Sequence, residues 1–157
     1  MKQKVYPPIE ALLPHSHPMI LIDSVVQHTN NMVECEFTIS PKSFLFDSLI
    51  NGVPAQAGVE YMAQTIAALG GLASYERGEA PSIGFLLGAR RYHHRESCFL
   101  NGHRYLVHAQ ELMSDSSVAV YQCKILNDKN QEVASGQVNT VVASSSMLNA
   151  LINNTEQ

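Results

Sequence analysis

The spacing of apolar positions along this chain changes character twice. Residues 19–27 and 32–40 are rich in β-branched and apolar side chains and flank the polar stretch His28-Thr29-Asn30-Asn31, which predicts a β-hairpin. A short turn or helix over residues 9–13 precedes it. A loop of Pro, Ser, Phe, Asp, Asn and Gly fills residues 40–54, and the pattern then becomes helical. From Ala55 to about Arg77, apolar residues such as Val59, Met62, Ala63, Ile66, Leu69 and Ala73 occupy nearly every face, as expected of a helix surrounded by protein. Pro54 suits its entrance, where a missing N–H leaves nothing unpaired, and Gly78 and Pro81 end it. Residues 82–93, 105–113, 117–127 and 132–142 then read as strands, with turns at 114–116 and 128–130, so the second half is an antiparallel meander. Two strands, one buried helix and four strands predict an α+β layer in which a curved antiparallel sheet wraps one long central helix.

Composition narrows what such a layer does. The chain has 157 residues, of which 45% are apolar, enough for a core without covalent staples. We assign residues 1–143 to one domain and 144–157 to a C-terminal tail with room for a short helix. A net charge of −4 disfavours a nucleic-acid partner, because phosphate-binding surfaces are basic. Arg90, Arg91 and Arg95 form a local basic group suited to an acidic protein surface. Cys35, Cys98 and Cys123 lack the spacing of a zinc site or a disulfide framework, and no metal or cofactor is expected. Without an apolar run long enough to span a bilayer or a signal-peptide core, the expectation is a cytoplasmic protein.

Three motifs carry a family likeness. Leu13-Pro14-His15-Ser16-His17-Pro18-Met19-Ile20-Leu21-Ile22-Asp23 resembles the opening of bacterial type II 3-hydroxyacyl-carrier-protein dehydratases. Val59-Glu60-Tyr61-Met62-Ala63-Gln64 resembles the start of their central helix, and Gly84-Phe85-Leu86-Leu87-Gly88-Ala89 with the arginines after it resembles their third strand. The likeness covers about residues 9–142 and is closer to the dehydratase-like subunits of aryl polyene synthesis, through Gly52-Val53-Pro54-Ala55-Gln56-Ala57-Gly58 ahead of the helix motif. It implies a hot-dog fold, a homodimer or a heterodimer with a second hot-dog dehydratase, and an acyl substrate held as a thioester on an acyl carrier protein.

Dehydration of such a thioester needs a base for the C2 proton, an acid for the departing hydroxyl and donors to the thioester oxygen. Glu60 stands in the first turns of an otherwise apolar helix, where withdrawal from water disfavours a charged carboxylate and suits it to proton transfer. A structural Glu drawn to the helix dipole is the alternative. Helix-terminal N–H groups near Ala55 and Gln56 are candidates for the thioester carbonyl. The resemblance places a glycine where Ala55 stands and a histidine in the loop before the helix, yet no histidine lies between Ser40 and Val59. His15 is the first substitute, His17 the second, and Asp47 a loop acid of lower rank. A histidine lent by a partner subunit is a further solution. Phe85 and Leu86 are candidates for an acyl tunnel, core packing being the competing assignment. Two readings follow: a dehydratase built on Glu60, or a non-catalytic partner that stabilises an active dehydratase. Thioester hydrolysis ranks third.

Overall fold

The computed structural model describes residues 3–115, 118–142 and 145–155, without the side chains of 85, 145–148 and 151. A six-stranded antiparallel sheet runs in the order β1-β2-β6-β7-β8-β4, from β1 (Ser24–His28) and β2 (Met32–Thr38) through β6 (Arg104–Asp115), β7 (Val118–Leu126) and β8 (Glu132–Val142) to β4 (Gly84–His94). β3 (Gly52–Pro54) and β5 (Cys98–Leu100) form a separate two-stranded ribbon. The helix α1 (Gly58–Glu76) packs across the large sheet, and α2 (Ser145–Thr155) closes the described chain. This is the hot-dog architecture, a sheet curled round one long helix.

Two periodicities meet in the core. Val33, Cys35 and Phe37 of β2, Tyr105, Val107 and Ala109 of β6, and Cys123 and Ile125 of β7 alternate inward with period two. They meet Tyr61, Met62, Thr65, Ala68 and Leu72, which recur at helical spacing on α1. Phe37 stacks on Tyr61 with ring centres 4.0 Å apart, and Phe99 of the ribbon meets both rings edge-on. α1 ends where Gly78 takes a φ of +69° and its N–H and that of Glu79 return to Tyr75 O and Ser74 O, a six-to-one and five-to-two closure that favours glycine.

The structure departs from the expected elements in four places. The first strand begins at Ser24 rather than residue 19, because Met19 and Leu21 give their backbone groups to the Gln64 side chain instead of a neighbouring strand. Gly52–Pro54 is not loop but pairs with Cys98–Leu100, runs of three residues being too short to show a period. The α-helix starts at Gly58, with residues Ala55–Ala57 wound more tightly as a 3-10 turn. Ser114 and Asp115, expected in a turn, extend β6, while Ser116 and Ser117 lie outside the described residues.

Candidate active site

A cavity of about 240 Å³ lies between α1 and the strands at the β4 end of the sheet. Its helix wall is Glu60, Ala63, Gln64, Ala67 and Gly70, residues three or four apart that share one face, with Ile66 beside them. Leu86 of β4, Tyr121 of β7 and Thr140 and Val141 of β8 form the opposite wall, with Pro14 and His15 of the N-terminal segment at the side. Most of the lining is apolar, and Glu60, His15 and Tyr121 are its titratable groups.

Glu60 is half-buried rather than dry. Its Oε1 faces the Gln64 Nε2 one helical turn on, at 3.4 Å. Gln64 is 1% exposed and holds the extended segment against the helix: Nε2 donates to Met19 O at 2.7 Å, and Oε1 accepts the Leu21 N–H at 2.8 Å. One amide therefore aligns the carboxylate and the strap that descends from His15. Its role was missed in sequence, although a lone amide in an apolar helix signals a bonded partner, since burying one unpaired is costly. His15 is half-buried; its Nδ1 is buried, and neither ring nitrogen has a hydrogen-bond partner among the described residues. Gly71 seats this strap closely, for its Cα approaches the Leu12 backbone where a Cβ would collide with it.

The other candidates fall elsewhere. His17 is exposed and pairs with Glu10 at 3.1 Å, outside the cavity. Asp47 accepts the Leu49 N–H at 2.9 Å and bridges to Gly52 through its backbone, the work of a turn residue. Leu86 lines the cavity and is 42% exposed, while the side chain of Phe85 lies outside the described residues. The Ala55 N–H, expected to be free, donates to Ser97 O at 3.0 Å, because ribbon pairing continues past Pro54 into the helix entrance. The Gln56 N–H has no partner among the described residues and stands at an exposed position, but neither residue lines the Glu60 cavity.

Tyr92 is a second residue that sequence reasoning overlooked. β4 bulges at Arg91 and Tyr92, Arg91 taking a φ of +54°, so two residues face Gly136 alone. The phenol passes over Gly136 and Gly58, at both of which a Cβ would crowd it, and its hydroxyl donates to Ala55 O at 2.5 Å. Burial pushes this phenol up to about 12, so it stays a donor. Arg90, Arg91 and Arg95 are exposed and form no ion pair among the described residues. His108 pairs with Glu34 at 2.9 Å and His103 with Asp128 at 3.6 Å, on the outer face. No group of three metal-ligating side chains occurs among the described residues, and burial pushes the Cys35 and Cys123 thiols up to about 12, which removes them as nucleophiles. No helix among the described residues is long and apolar enough to cross a membrane.

Comparison with known proteins adds to this geometry. A family model described as ApeP-like, ApeP dehydratase, matches residues 7–153. A chain of the dehydratase heterocomplex ApeI:P from Xenorhabdus doucetiae is 29% identical and superposes with a TM-score of 0.87, over 95% of this chain and 99% of that one. Two more distant structures share the fold alone. A hypothetical thioesterase with coenzyme A from Streptococcus pneumoniae TIGR4 has 7% identity and a TM-score of 0.60 over 77% of this chain and 85% of its own. The protein smu.793 from Streptococcus mutans UA159, bound to acetyl CoA, has 13% identity and a TM-score of 0.60 over 83% and 97%. No curated protein matches the chain.

Proposed function

Because the chain belongs to the ApeP-like dehydratase family, we propose that it dehydrates a 3-hydroxyacyl group, carried as a thioester on an acyl carrier protein in aryl polyene or lipid synthesis, to the trans-2-enoyl form. The observation that carries this reading is the meeting of Glu60 and His15 on one apolar cavity, with Gln64 fixing the carboxylate. The imidazole of His15, uncommitted to any other bond, takes the C2 proton. The electron pair left on C2 forms the C2=C3 double bond, and the C3 hydroxyl departs as water with a proton from the Glu60 carboxyl group. Proton exchange between the two side chains restores the starting state. Neither helix-terminal N–H expected for the thioester oxygen serves this cavity, since that of Ala55 is spent on Ser97 O and Gln56 stands outside the lining.

The active unit in this reading has two chains. β4 is an edge of the sheet, and it exposes Leu86 and Leu87, the latter 59% exposed, beside the cavity. An exposed apolar edge of this kind is a ready template for pairing with another chain. The heterocomplex of the similar chain supports a second hot-dog dehydratase as the occupant, and the exposed Arg90, Arg91 and Arg95 would face an acidic carrier protein.

The second reading, a partner that binds the acyl chain without reacting, is favoured by the loop at residues 40–54, which holds no histidine. Turnover of a 3-hydroxyacyl-carrier-protein substrate, by this chain alone and mixed with a second hot-dog dehydratase, separates the two. Glu60→Gln should lower turnover about a hundredfold or more, the usual worth of a positioned acid or base. Activity confined to the mixture and untouched by Glu60→Gln would leave the chain a scaffold.

A further inference from the structure

A second groove adjoins the far end of the Glu60 cavity. Its walls are Leu69, Leu72, Ala73 and Glu76 of α1 with His28, Thr29 and Asn30 at the β1–β2 turn, and two residues, Gly70 and Tyr121, line both spaces. Along α1 beyond Glu60 and Gln64, the lining residues Ala63, Ala67 and Gly70 are small, and Glu60 and Gly70 stand about 15 Å apart at 1.5 Å of rise per residue. Across from the Gly70 end stands the Tyr121 side chain, 8% exposed and fixed by the pairing of β7 with β6 and β8. Gly70 is exposed, and a Cβ there would meet nothing within 4 Å, so the helix side is open at the level where the strand supplies a ring.

From this we infer that Tyr121 and Gly70 together form the end wall that sets how long an acyl chain the cavity accepts, Tyr121 closing it and the bare Gly70 backbone leaving room for the last carbons. The inference rests on the reading that the acyl chain occupies the Glu60 cavity. Its ligand class is a linear acyl thioester whose tail runs along the Ala63–Ala67–Gly70 flank toward Tyr121. The wall is a volume device: it bears on which chains fit and not on the proton transfers at Glu60.

The test is direct binding of saturated acyl-pantetheine thioesters of increasing chain length to the full chain, by isothermal titration. In the wild type each buried methylene should raise affinity about fourfold until the tail reaches the wall, and affinity should then level off. Gly70→Leu fills the gap on an open helix position that accepts a better helix former, so its plateau should come at shorter chains. Tyr121→Ala joins the two spaces and should move the plateau to longer chains, while Tyr121→Phe, which keeps the ring, should leave it in place. A plateau that Gly70→Leu leaves where the wild type has it overturns the inference, whether or not Tyr121→Ala folds. Affinity that does not rise with length in the wild type instead removes the acyl-cavity reading on which it rests.

Discussion

Gly70 and Gly71 are neighbours on α1 with opposite surroundings, and alanine at each position tests how the His15 strap is seated. A Cβ on Gly71 lies 1.9 Å from Leu12 O, 2.7 Å from Leu12 C and 2.9 Å from Leu12 Cα, all closer than the 3.0 Å that real Cβ atoms keep. These are backbone atoms, so no side chain can rotate away, and strap and helix must part by about 1 Å. At Gly70 the same atom meets nothing within 4 Å. Alanine is favoured over glycine inside a helix by about 1 kcal/mol, and at Gly70 that gain stands alone. At Gly71 it is set against overpacking of about 3 kcal/mol, the upper end of the usual range, for a net loss of about 2 kcal/mol. For a chain of this length 1 kcal/mol corresponds to about 2–4 °C in Tm. Gly70→Ala should therefore melt about 2–4 °C above the wild type and Gly71→Ala about 4–8 °C below it, followed by circular dichroism and checked by urea unfolding. Turnover of Gly71→Ala, measured where it is still folded, should fall as well, since Leu12 leads directly into Pro14 and His15 on the cavity. Equal melting temperatures for the two variants, or a Gly71→Ala protein as stable as the wild type, would refute the close seating of the strap.

Three further outcomes follow from the same geometry. Tyr92→Phe should cost about 1 kcal/mol in urea unfolding and no more, because Ala55 O keeps the Gly58 N–H and is not left unpaired; a loss above about 3 kcal/mol would mean the hydroxyl does something else. A maleimide applied to the native protein should label Cys98, which is only half-buried, and should reach Cys35 and Cys123 only after unfolding; labelling of more than one thiol in the native state contradicts their burial. Burial, with like charge from Lys4, holds the His28 imidazole below its ordinary 6.5. The unfolded chain then binds the proton more readily, so the stability from a neutral His28 is full above 6.5 and is lost as pH falls through the folded value. An NMR titration of His28 should give a midpoint under 6.5, and one at or above it ends the argument.

Sequence alone determined the order of the main elements and the burial of the helix. Those features are written in local periodicity, which the chain carries whatever its neighbours do: an apolar helix favours the interior and period-two runs favour sheet, although Gly70, Ala73 and Tyr75 leave one flank of α1 exposed. The pairing of Glu60 with the segment from His15 was partly legible, since both fall in motifs that resemble one family. Tertiary structure decided the rest. Met19 and Leu21 leave the first strand because a glutamine 43 and 45 residues away takes their backbone groups, a competition that no local propensity encodes. The Ala55 N–H is spent on Ser97 because two three-residue runs, invisible as periods, meet across the helix entrance. Tyr92 reaches Ala55 only through a bulge opposite Gly136 and a glycine on the helix, three positions brought together by folding. Local patterning fixes which residues turn inward, whereas hydrogen-bond partners distant in sequence are settled only once the sheet has closed on its helix.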